Sequence, residues 1–337
     1  MSKLDGRLGV LMLLVVALLA IGGAVSGGTY LSAFNLQSMA SQVPEIGLLA
    51  IGVMLAMSAG NGGIDLSGIA LANLAGVAAG LLVKDLVSVD DAPWTFSLAF
   101  AGVAVLVGLA GGLLNGLIIA RLGITPILCT LGTQMLFTGL TVVISDGRAV
   151  TIGSPEPLYQ LGNGVILGLP IGFLIFVLIA LVLGAVLRFT PFGLRLMLTG
   201  ANPRAAGFCG FDKARIFTVT YALSGMLAGC AGVIIAARNV NVKWDYGTSY
   251  LLIAILIAVM AGVRPEGGYG RVTCVVLSAV VLQLLSSLLN FVGLSNFVRD
   301  LAWGALLLAF LAIGRFGVIE RLASHLPIPR RSRAAQD

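Results

Sequence analysis

The residues best suited to chemistry in this sequence are polar side chains that interrupt long apolar runs. The clearest interruption is Ser58–Gly76, SAGNGGIDLSGIALANLAG, where Asn61 and Asp65 precede a renewed apolar stretch. An ionisable side chain at such a position is costly unless it is paired or hydrated. Two interpretations of Asp65 stay open. Its carboxylate caps the following helix by accepting from backbone N–H groups, or it lines a polar path through the molecule.

Further polar side chains lie within the apolar runs themselves. They are Asn73, Asn115, Thr130, Thr133, Gln134, Thr138, Tyr221, Ser224, Gln283, Ser286, Ser287 and Asn290. Hydrogen bonding between helices explains any one of them, at under about 1–2 kcal/mol each. As a set they offer a neutral polyhydroxylated solute a lining of amides and hydroxyls. This set contains no carboxylate or ammonium group, which argues against ion coupling. The candidates for a translocation path are Asn61, Asp65, Asn73, Asn115, Thr133, Gln134, Gln283 and Asn290.

The most informative segment is a basic one, RFTPFGLRLMLTGANPRAAGFCGFDKAR, at residues 188–215. Asn202 and Pro203 are a suitable N-cap and first helical residue, and Gly210 is a suitable terminator. The pattern predicts a short helix over Arg204–Cys209. Such a helix could dock a partner, whereas a solvated loop would be basic without needing a cap or a terminator. The residues assigned to docking are Asn202, Pro203, Arg204, Ala205, Ala206 and Gly210.

Several kinds of chemistry lack the residues they need. The sequence has no GxxxxGK[ST] phosphate-binding loop, no Ser/His/Asp set and no pair of catalytic carboxylates. His325 is the one histidine, and the four cysteines form no CxxC motif, so neither a metal site nor a disulfide framework is expected. The chain is therefore predicted not to be an enzyme. If it works with ATP, the ATPase must be another polypeptide.

The composition identifies the elements that position these residues. Hydrophobic residues make up 58% of the 337 residues and charged residues 10%, against about 25% charged in soluble domains. This predicts an all-α, polytopic transmembrane bundle. Glycine, at 45 residues, lies largely inside the apolar runs. Gly112 with Gly116 and Gly225 with Gly229 have the GxxxG spacing that lets helices pack closely.

About ten spans are predicted, with both termini in the cytoplasm. The segments are 8–25, 43–60, 65–83, 96–120, 124–144, 168–187, 215–237, 248–263, 270–291 and 296–314. With the N-terminus inside, alternation places most Lys and Arg residues in inner loops, as the positive-inside rule requires. The outer side then carries Lys84, Arg148, Arg238, Lys243 and Arg299. The net charge of +6 is thus a topology signal and needs no nucleic acid. Lys3 and Arg7 before the first apolar run resemble a signal peptide, but an uncleaved span is expected.

Residues 1–320 are predicted to form a single transmembrane domain that includes the cytoplasmic segment 188–215. Residues 321–337 form a basic cytoplasmic tail. The outer segments 145–167 and 238–247 carry both charge signs. They either contact a soluble partner or are ordinary solvated loops.

Three motifs resemble those of the permease subunits of carbohydrate ABC importers, the ribose/xylose/arabinose-type family. They are GGIDLS (Gly62–Ser67), NGLIIARLGITPILCTLGT (Asn115–Thr133) and TPFGLRLMLTGANPRAAGFCGF (Thr190–Phe211), with a weaker match at GGYG (Gly267–Gly270). The resemblance spans about residues 40–314. Two departures bear on substrate choice and leave the architecture intact. Gly68 and Ile69 stand where the family commonly has Val-Gly, and the 261–270 hairpin reads AGVRPEGGYG where the family is closer to GGTSLFGG.

The resemblance implies a type II importer permease in the bacterial inner membrane, acting as a dimer with a second copy or a paralogue. It would bind ATPase subunits inside through Asn202–Gly210 and a periplasmic solute-binding protein outside. ATP and Mg²⁺ would bind to the ATPase, with no cofactor in this chain. The implied function is import of a small polar solute, a monosaccharide or related polyol, by alternating access. The alternatives are a branched-chain amino-acid-type permease and an ion-coupled secondary transporter.

Overall fold

The computed structural model describes residues 2–316, which are mostly helical. The predicted basic tail at 321–337 lies outside them. The helices are α1 (Ser2–Val25), α2 (Ala33–Ser58), α3 (Gly68–Leu86), α4 (Pro93–Leu122), α5 (Pro126–Ser145), α6 (Glu156–Asn163), α7 (Ile171–Phe189), α8 (Pro191–Ala201), α9 (Pro203–Phe208), α10 (Lys213–Asn239), α11 (Tyr250–Met260), α12 (Val272–Phe291) and α13 (Asn296–Phe316). A 3₁₀ turn, Thr29–Leu31, joins α1 to α2.

Each of the ten predicted spans coincides with a helix. Within residues 2–316, eight helices are long and apolar enough to cross a membrane, namely α1, α2, α3, α4, α5, α7, α10 and α12. The prediction of a helical transmembrane bundle is therefore confirmed. The segment predicted as 248–263 forms α11, which has only 11 residues. The 296–314 segment corresponds to α13, which has 21 residues.

The loops contain short strands that the sequence analysis did not predict. β1 (Val150–Thr151) pairs with β4 (Asn241–Val242) in an antiparallel ladder. β2 (Val165–Ile166) pairs in the same way with β3 (Leu169–Pro170). The all-α prediction thus needs a small correction. A ladder of two residues leaves too short a periodic pattern in the sequence to be recognised.

The centre of the bundle is formed by α2, α3, α4 and α10. Buried side chains occupy most of α2 after Val43 and most of α10, so these two helices are surrounded by protein. The long helices other than α2 and α10 expose apolar side chains, as lipid-facing helices do. The prediction of close glycine packing is confirmed where α4 crosses α10. A Cβ added at Gly225 would lie 2.6 Å from the Cα of Gly112, so only glycine permits this approach.

The second helix begins ten residues before the predicted span at 43. Ser32 caps it, because the Ser32 hydroxyl accepts from the backbone N–H of Asn35 at 3.3 Å. Pro44 lies inside the helix without ending it. Neighbouring helices and side chains can satisfy the backbone groups that a proline frees within a span. The early start adds Asn35, Ser38 and Gln42 to the helix.

Candidate translocation and coupling sites

Asp65 lies in the loop between α2 and α3 and is only 2% exposed. Its Oδ1 accepts from the backbone N–H of Ser67 at 3.0 Å and from the Ser67 hydroxyl at 2.7 Å. Its Oδ2 accepts from the hydroxyl of Ser224, in α10, at 2.6 Å. The carboxylate therefore binds Ser67, the residue that precedes α3, and ties that position to α10.

The path interpretation of Asp65 requires space for a solute beside the carboxylate. Asp65 borders a cavity of about 10 Å³ that Leu49, Val53 and Tyr250 also line. A volume of this size holds at most one water molecule. In this conformation Asp65 is part of the packing between helices, with no open channel beside it.

Asn115 extends the Asp65 network into α4. Its Nδ2 donates to the Ser67 hydroxyl at 2.8 Å. Its Oδ1 is buried and has no hydrogen-bond partner in the part of the chain that the structure describes. A buried acceptor without a partner costs about 1–3 kcal/mol, so this amide oxygen has bonding capacity that the packed structure does not use.

The remaining candidates in the first half of the chain are scattered. Asn73 donates from Nδ2 to the carbonyl oxygens of Trp244 and Tyr246, at 3.1 and 2.9 Å, and so fastens a predicted outer loop to α3. Thr133 donates to a carbonyl one turn earlier in α5. Gln134 lies next to it on the same helix. Asn61 is exposed, with φ of +61°, a conformation that asparagine tolerates better than most residues.

Gln283 and Asn290 do come together, in a polar cleft between α2 and α12. Two adjoining cavities of about 370 and 260 Å³ share Gln42 and Gln283 as walls. These volumes approach or reach the lower end of the range for ligand pockets. The polar lining is Asn35, Ser38, Gln42, Ser249, Tyr250, Gln283, Ser286, Ser287, Asn290, Arg299 and Asp300. We call this the polar cleft. Most of its groups are neutral amides and hydroxyls, which both donate and accept hydrogen bonds.

The sequence analysis missed a buried carboxylate beside this cleft. Glu45 is fully buried in α2, and its Oε1 forms an ion pair with Nη1 of Arg238 at 2.6 Å. Its Oε2 accepts from the hydroxyls of Tyr246 and Tyr250, both at 3.0 Å. The set of polar residues drawn from the apolar runs therefore left out one carboxylate that lies within a span. An ionisable residue inside the predicted span 43–60 was the available signal.

The Glu45 centre connects several functional elements. Arg238 lies in the last turn of α10 and Tyr246 in the following loop, so the carboxylate fixes a predicted outer loop to α2. Tyr250, at the start of α11, lines both the polar cleft and the small cavity beside Asp65. Tyr250, which donates a hydrogen bond to Glu45, therefore lines both cavities.

The short helix predicted after Asn202 is present as α9, Pro203–Phe208. The Asn202 side chain accepts from the backbone N–H of Ala205 at 3.0 Å. Gly210 follows with φ of +75°, the left-handed conformation that ends a helix. Compared with the predicted Arg204–Cys209, the helix begins and ends one residue earlier. Ala206 packs inward, whereas Phe208 is 94% exposed, an unusual position for a large apolar side chain.

The base of α8–α9 contacts the end of α2. A Cβ added at Gly60 would lie 3.0 Å from the Cα of Gly200, which shows how closely the two backbones approach. The backbone N–H of Gly268 donates to the carbonyl of Ser58, the last residue of α2, at 3.1 Å. Three predicted inner loops therefore meet at one point, directly below the helix that lines the polar cleft.

Comparison with known proteins gives concordant results. Residues 35–311 match a protein family described as the branched-chain amino acid transport system / permease component. The chain is 31% identical to the ribose import permease protein RbsC of Bacillus subtilis, over 94% of this chain and 93% of the relative. It is 30% identical to the L-arabinose transport system permease protein AraH of Escherichia coli, over 90% of each. It is 29% identical to the D-allose transport system permease protein AlsC of Escherichia coli, also over 90% of each. No solved structure matches the chain.

Proposed function

The chain belongs to the branched-chain amino acid transport system / permease component family, as a membrane subunit of an ABC importer, and from this premise we propose that it carries a monosaccharide or a related polyol across the inner membrane. The polar cleft is the observation that carries this proposal. Its amides and hydroxyls match a ligand whose polar groups are hydroxyls. The relatives are named for ribose, L-arabinose and D-allose, which favours a sugar over the branched-chain amino acid alternative.

The proposed topology has ten spans, with α11 and α13 completing the eight long helices and both termini in the cytoplasm. The grouping of the loops supports it. β1 and β4 bring together two loops that alternation assigns to the outside. Ser58 and Gly268 bring together two loops that it assigns to the inside. Leaving α11 out of the count would place Ser58 and Gly268 on opposite sides of the membrane, although their backbones are hydrogen-bonded.

The proposed partners follow from the family. ATPase subunits bind α8–α9 on the inner side and supply the ATP and Mg²⁺ site, so this chain needs no cofactor of its own. A periplasmic solute-binding protein docks on the outer side, and a second permease, identical or related, completes the membrane part. Residues 1–320 act as one transmembrane domain whose segment 188–215 is the coupling element.

The mechanism we propose is alternating access. When the ATPases close, they displace α9 through Asn202, Pro203, Arg204, Ala205, Ala206 and Gly210. The contact between Gly60 and Gly200 then transmits this displacement to the end of α2. Since α2 carries Gln42 in the polar cleft, a shift of α2 changes the side to which the cleft opens.

The coupling assignment is tested by scrambling residues 202–204 in the assembled transporter. ATP-driven uptake of the sugar into proteoliposomes should fall to background while membrane insertion stays normal. The control is an equal scramble of the predicted outer loop at residues 90–92. Uptake that persists after the change at 202–204 would refute the coupling role. Uptake driven by an ion gradient without any ATPase would instead support a secondary transporter.

A natural cysteine tests the topology. Cys209 is exposed, whereas Cys129 and Cys274 are buried and Cys230 is partly buried. A membrane-impermeant maleimide should label the chain in inside-out vesicles and not in right-side-out vesicles. Cys209→Ser should abolish the labelling, and Lys84→Cys in that background should reverse its sidedness. Labelling of Cys209 from the outside would overturn the topology and the site of ATPase binding together.

A further inference from the structure

A second cleft lies at the inner ends of α7 and α12, away from the polar cleft. Its volume is about 680 Å³. One wall is apolar and belongs to α7, from Ala180 and Leu181 to Leu187. Its rim carries Arg188, at the inner end of the same helix, and Tyr269 and Arg271 from the segment that precedes α12. We call it the basic cleft. We propose that it binds an anionic phospholipid, with the phosphate between Arg188 and Arg271 and an acyl chain along α7.

The depth of the basic cleft indicates a lipid. From Arg188 to Ala180 its wall follows eight residues of α7, about 12 Å at 1.5 Å per residue. These residues belong to a helix long and apolar enough to span the membrane, so this part of the cleft lies within the hydrocarbon layer. A soluble ATPase cannot enter that layer. Leu181 is 63% exposed, which leaves an apolar surface for an acyl chain to cover.

The cleft has space along this wall because of a glycine. A Cβ added at Gly184 would have one neighbour, the Cβ of Val272 at 3.8 Å, an ordinary van der Waals contact. The helices α7 and α12 therefore come close at this point without filling the cleft. Gly184 forms its floor, and a larger side chain there would occupy the space assigned to the acyl chain.

The rim of the basic cleft has the charge that an anionic headgroup requires. Arg188 and Arg271 are both exposed, and in the part of the chain that the structure describes no carboxylate is bonded to either of them. The Arg188 guanidinium lies 5.3 Å from the centre of the Phe189 ring, a contact that leaves its N–H edges free for a phosphate. Basic pockets between spans on the cytoplasmic side are sites where lipid phosphates bind.

Tyr269 adds a hydrogen-bond donor at the same rim. Burial raises the pKa of its hydroxyl, against the opposing effect of the positive charges of Arg271 and Arg7. The hydroxyl therefore keeps its proton at neutral pH. Arg7 also packs against the backbone of Gly262, which adds a third guanidinium to this side of the molecule.

The test measures lipid retention by the purified full-length permease in a neutral detergent. Native mass spectrometry counts the molecules of dioleoyl phosphatidylglycerol and dioleoyl phosphatidylcholine that stay bound from an equal mixture. The wild-type chain should prefer phosphatidylglycerol. Arg188→Gln/Arg271→Gln should lower this preference by about 30-fold, which corresponds to about 1 kcal/mol for each arginine. Arg121→Gln/Arg215→Gln removes the same charge elsewhere on the inner side and should leave the preference unchanged.

Two further variants keep the proposal testable if the glutamine pair does not fold. Arg188→Lys/Arg271→Lys keeps the charge and should retain the lipid preference. Gly184→Leu keeps both arginines but fills the floor, and it should lower retention of phosphatidylglycerol. Equal retention of the two lipids by the wild-type chain would overturn the proposal. So would a glutamine pair that behaves like the control, or glycerol 3-phosphate that competes as well as the intact lipid. Cross-linking of two chains through this cleft would assign it to a second copy instead.

Discussion

Glu45 and Asn202 both fix their surroundings through short polar contacts, yet the two regions differ in kind. The Glu45 carboxylate is fully buried and reaches Arg238, 193 residues later in the chain. The Asn202 side chain is exposed and caps a helix three residues away. The first contact joins parts of the fold that only tertiary packing brings together. The second shapes a surface segment that is free to meet a partner.

This difference suggests two separate requirements in one permease. The region around Glu45, Arg238 and Tyr250 has to stay intact while the polar cleft changes its opening. The α9 segment has to keep its shape while it is pushed from outside the membrane. Substitutions in the first region should therefore act on folding, and substitutions in the second should act on transport alone.

The largest effect is expected from Arg238→Met. It leaves the Glu45 carboxylate buried without its counter-charge, which costs about 3–5 kcal/mol in folding free energy. The midpoint of thermal denaturation in detergent should fall sharply. Adding Glu45→Gln to Arg238→Met removes the unpaired charge and should restore most of the loss. If the single and double variants are equally stable, the pair does not stabilise this region.

A smaller loss is expected from Asp65→Ala, which combines a local and a distant contact. The change removes the acceptor for Ser67, two residues away, and for Ser224, 159 residues away. Each lost hydrogen bond contributes about 0.5–1.5 kcal/mol, so the two together should cost about 1–3 kcal/mol. Ser224→Ala removes only the distant contact and separates the two contributions. A loss for Ser224→Ala as large as that for Asp65→Ala would show that the local bond to Ser67 contributes nothing.

The α9 cap should have little effect on the stability of the whole fold. Asn202→Ala should loosen α9 by about 0.5–2 kcal/mol, and amide hydrogen exchange at residues 204–209 should become faster while the thermal midpoint stays unchanged. ATP-driven uptake should decrease with it. Asn202→Asp keeps an acceptor at the cap and should behave like the wild-type chain. A shifted thermal midpoint in Asn202→Ala would remove the contrast with the Glu45 region.

The contrast also explains what the sequence could reveal. Ten helices and α9 with its cap were predictable, because apolar run length and capping residues are local signals. The GxxxG spacing predicted close packing between helices, but it did not show that α4 packs against α10. The Asp65–Ser224 bond and the Glu45–Arg238 pair each join residues more than one hundred positions apart. No local pattern encodes such a pairing, although a single glutamate within span 43–60 was visible.

The polar cleft was half predictable for the same reason. Gln283 and Asn290 were recognised because they interrupt an apolar run. Gln42 precedes the predicted span and was left out, since nothing in the sequence shows that Ser32 starts α2 so early. Their meeting depends on how α2 packs against α12. The substrate itself is encoded by neither local pattern nor helix packing alone.

The smallest effect on stability, and a selective one on transport, is expected from Gln283→Met. Among the described residues none is hydrogen-bonded to the Gln283 side chain, which borders the polar cleft beside Gln42. Exchange for a side chain of similar size should leave the free energy of unfolding within about 0.5 kcal/mol of wild type. A sugar hydroxyl that bonded this amide would lose about 0.5–1.5 kcal/mol, so the sugar concentration at half-maximal uptake should rise by about 2- to 13-fold. Thr138→Val in α5 removes one polar group outside the cleft and is the control. If both variants change uptake equally, or neither does, the path does not run between α2 and α12.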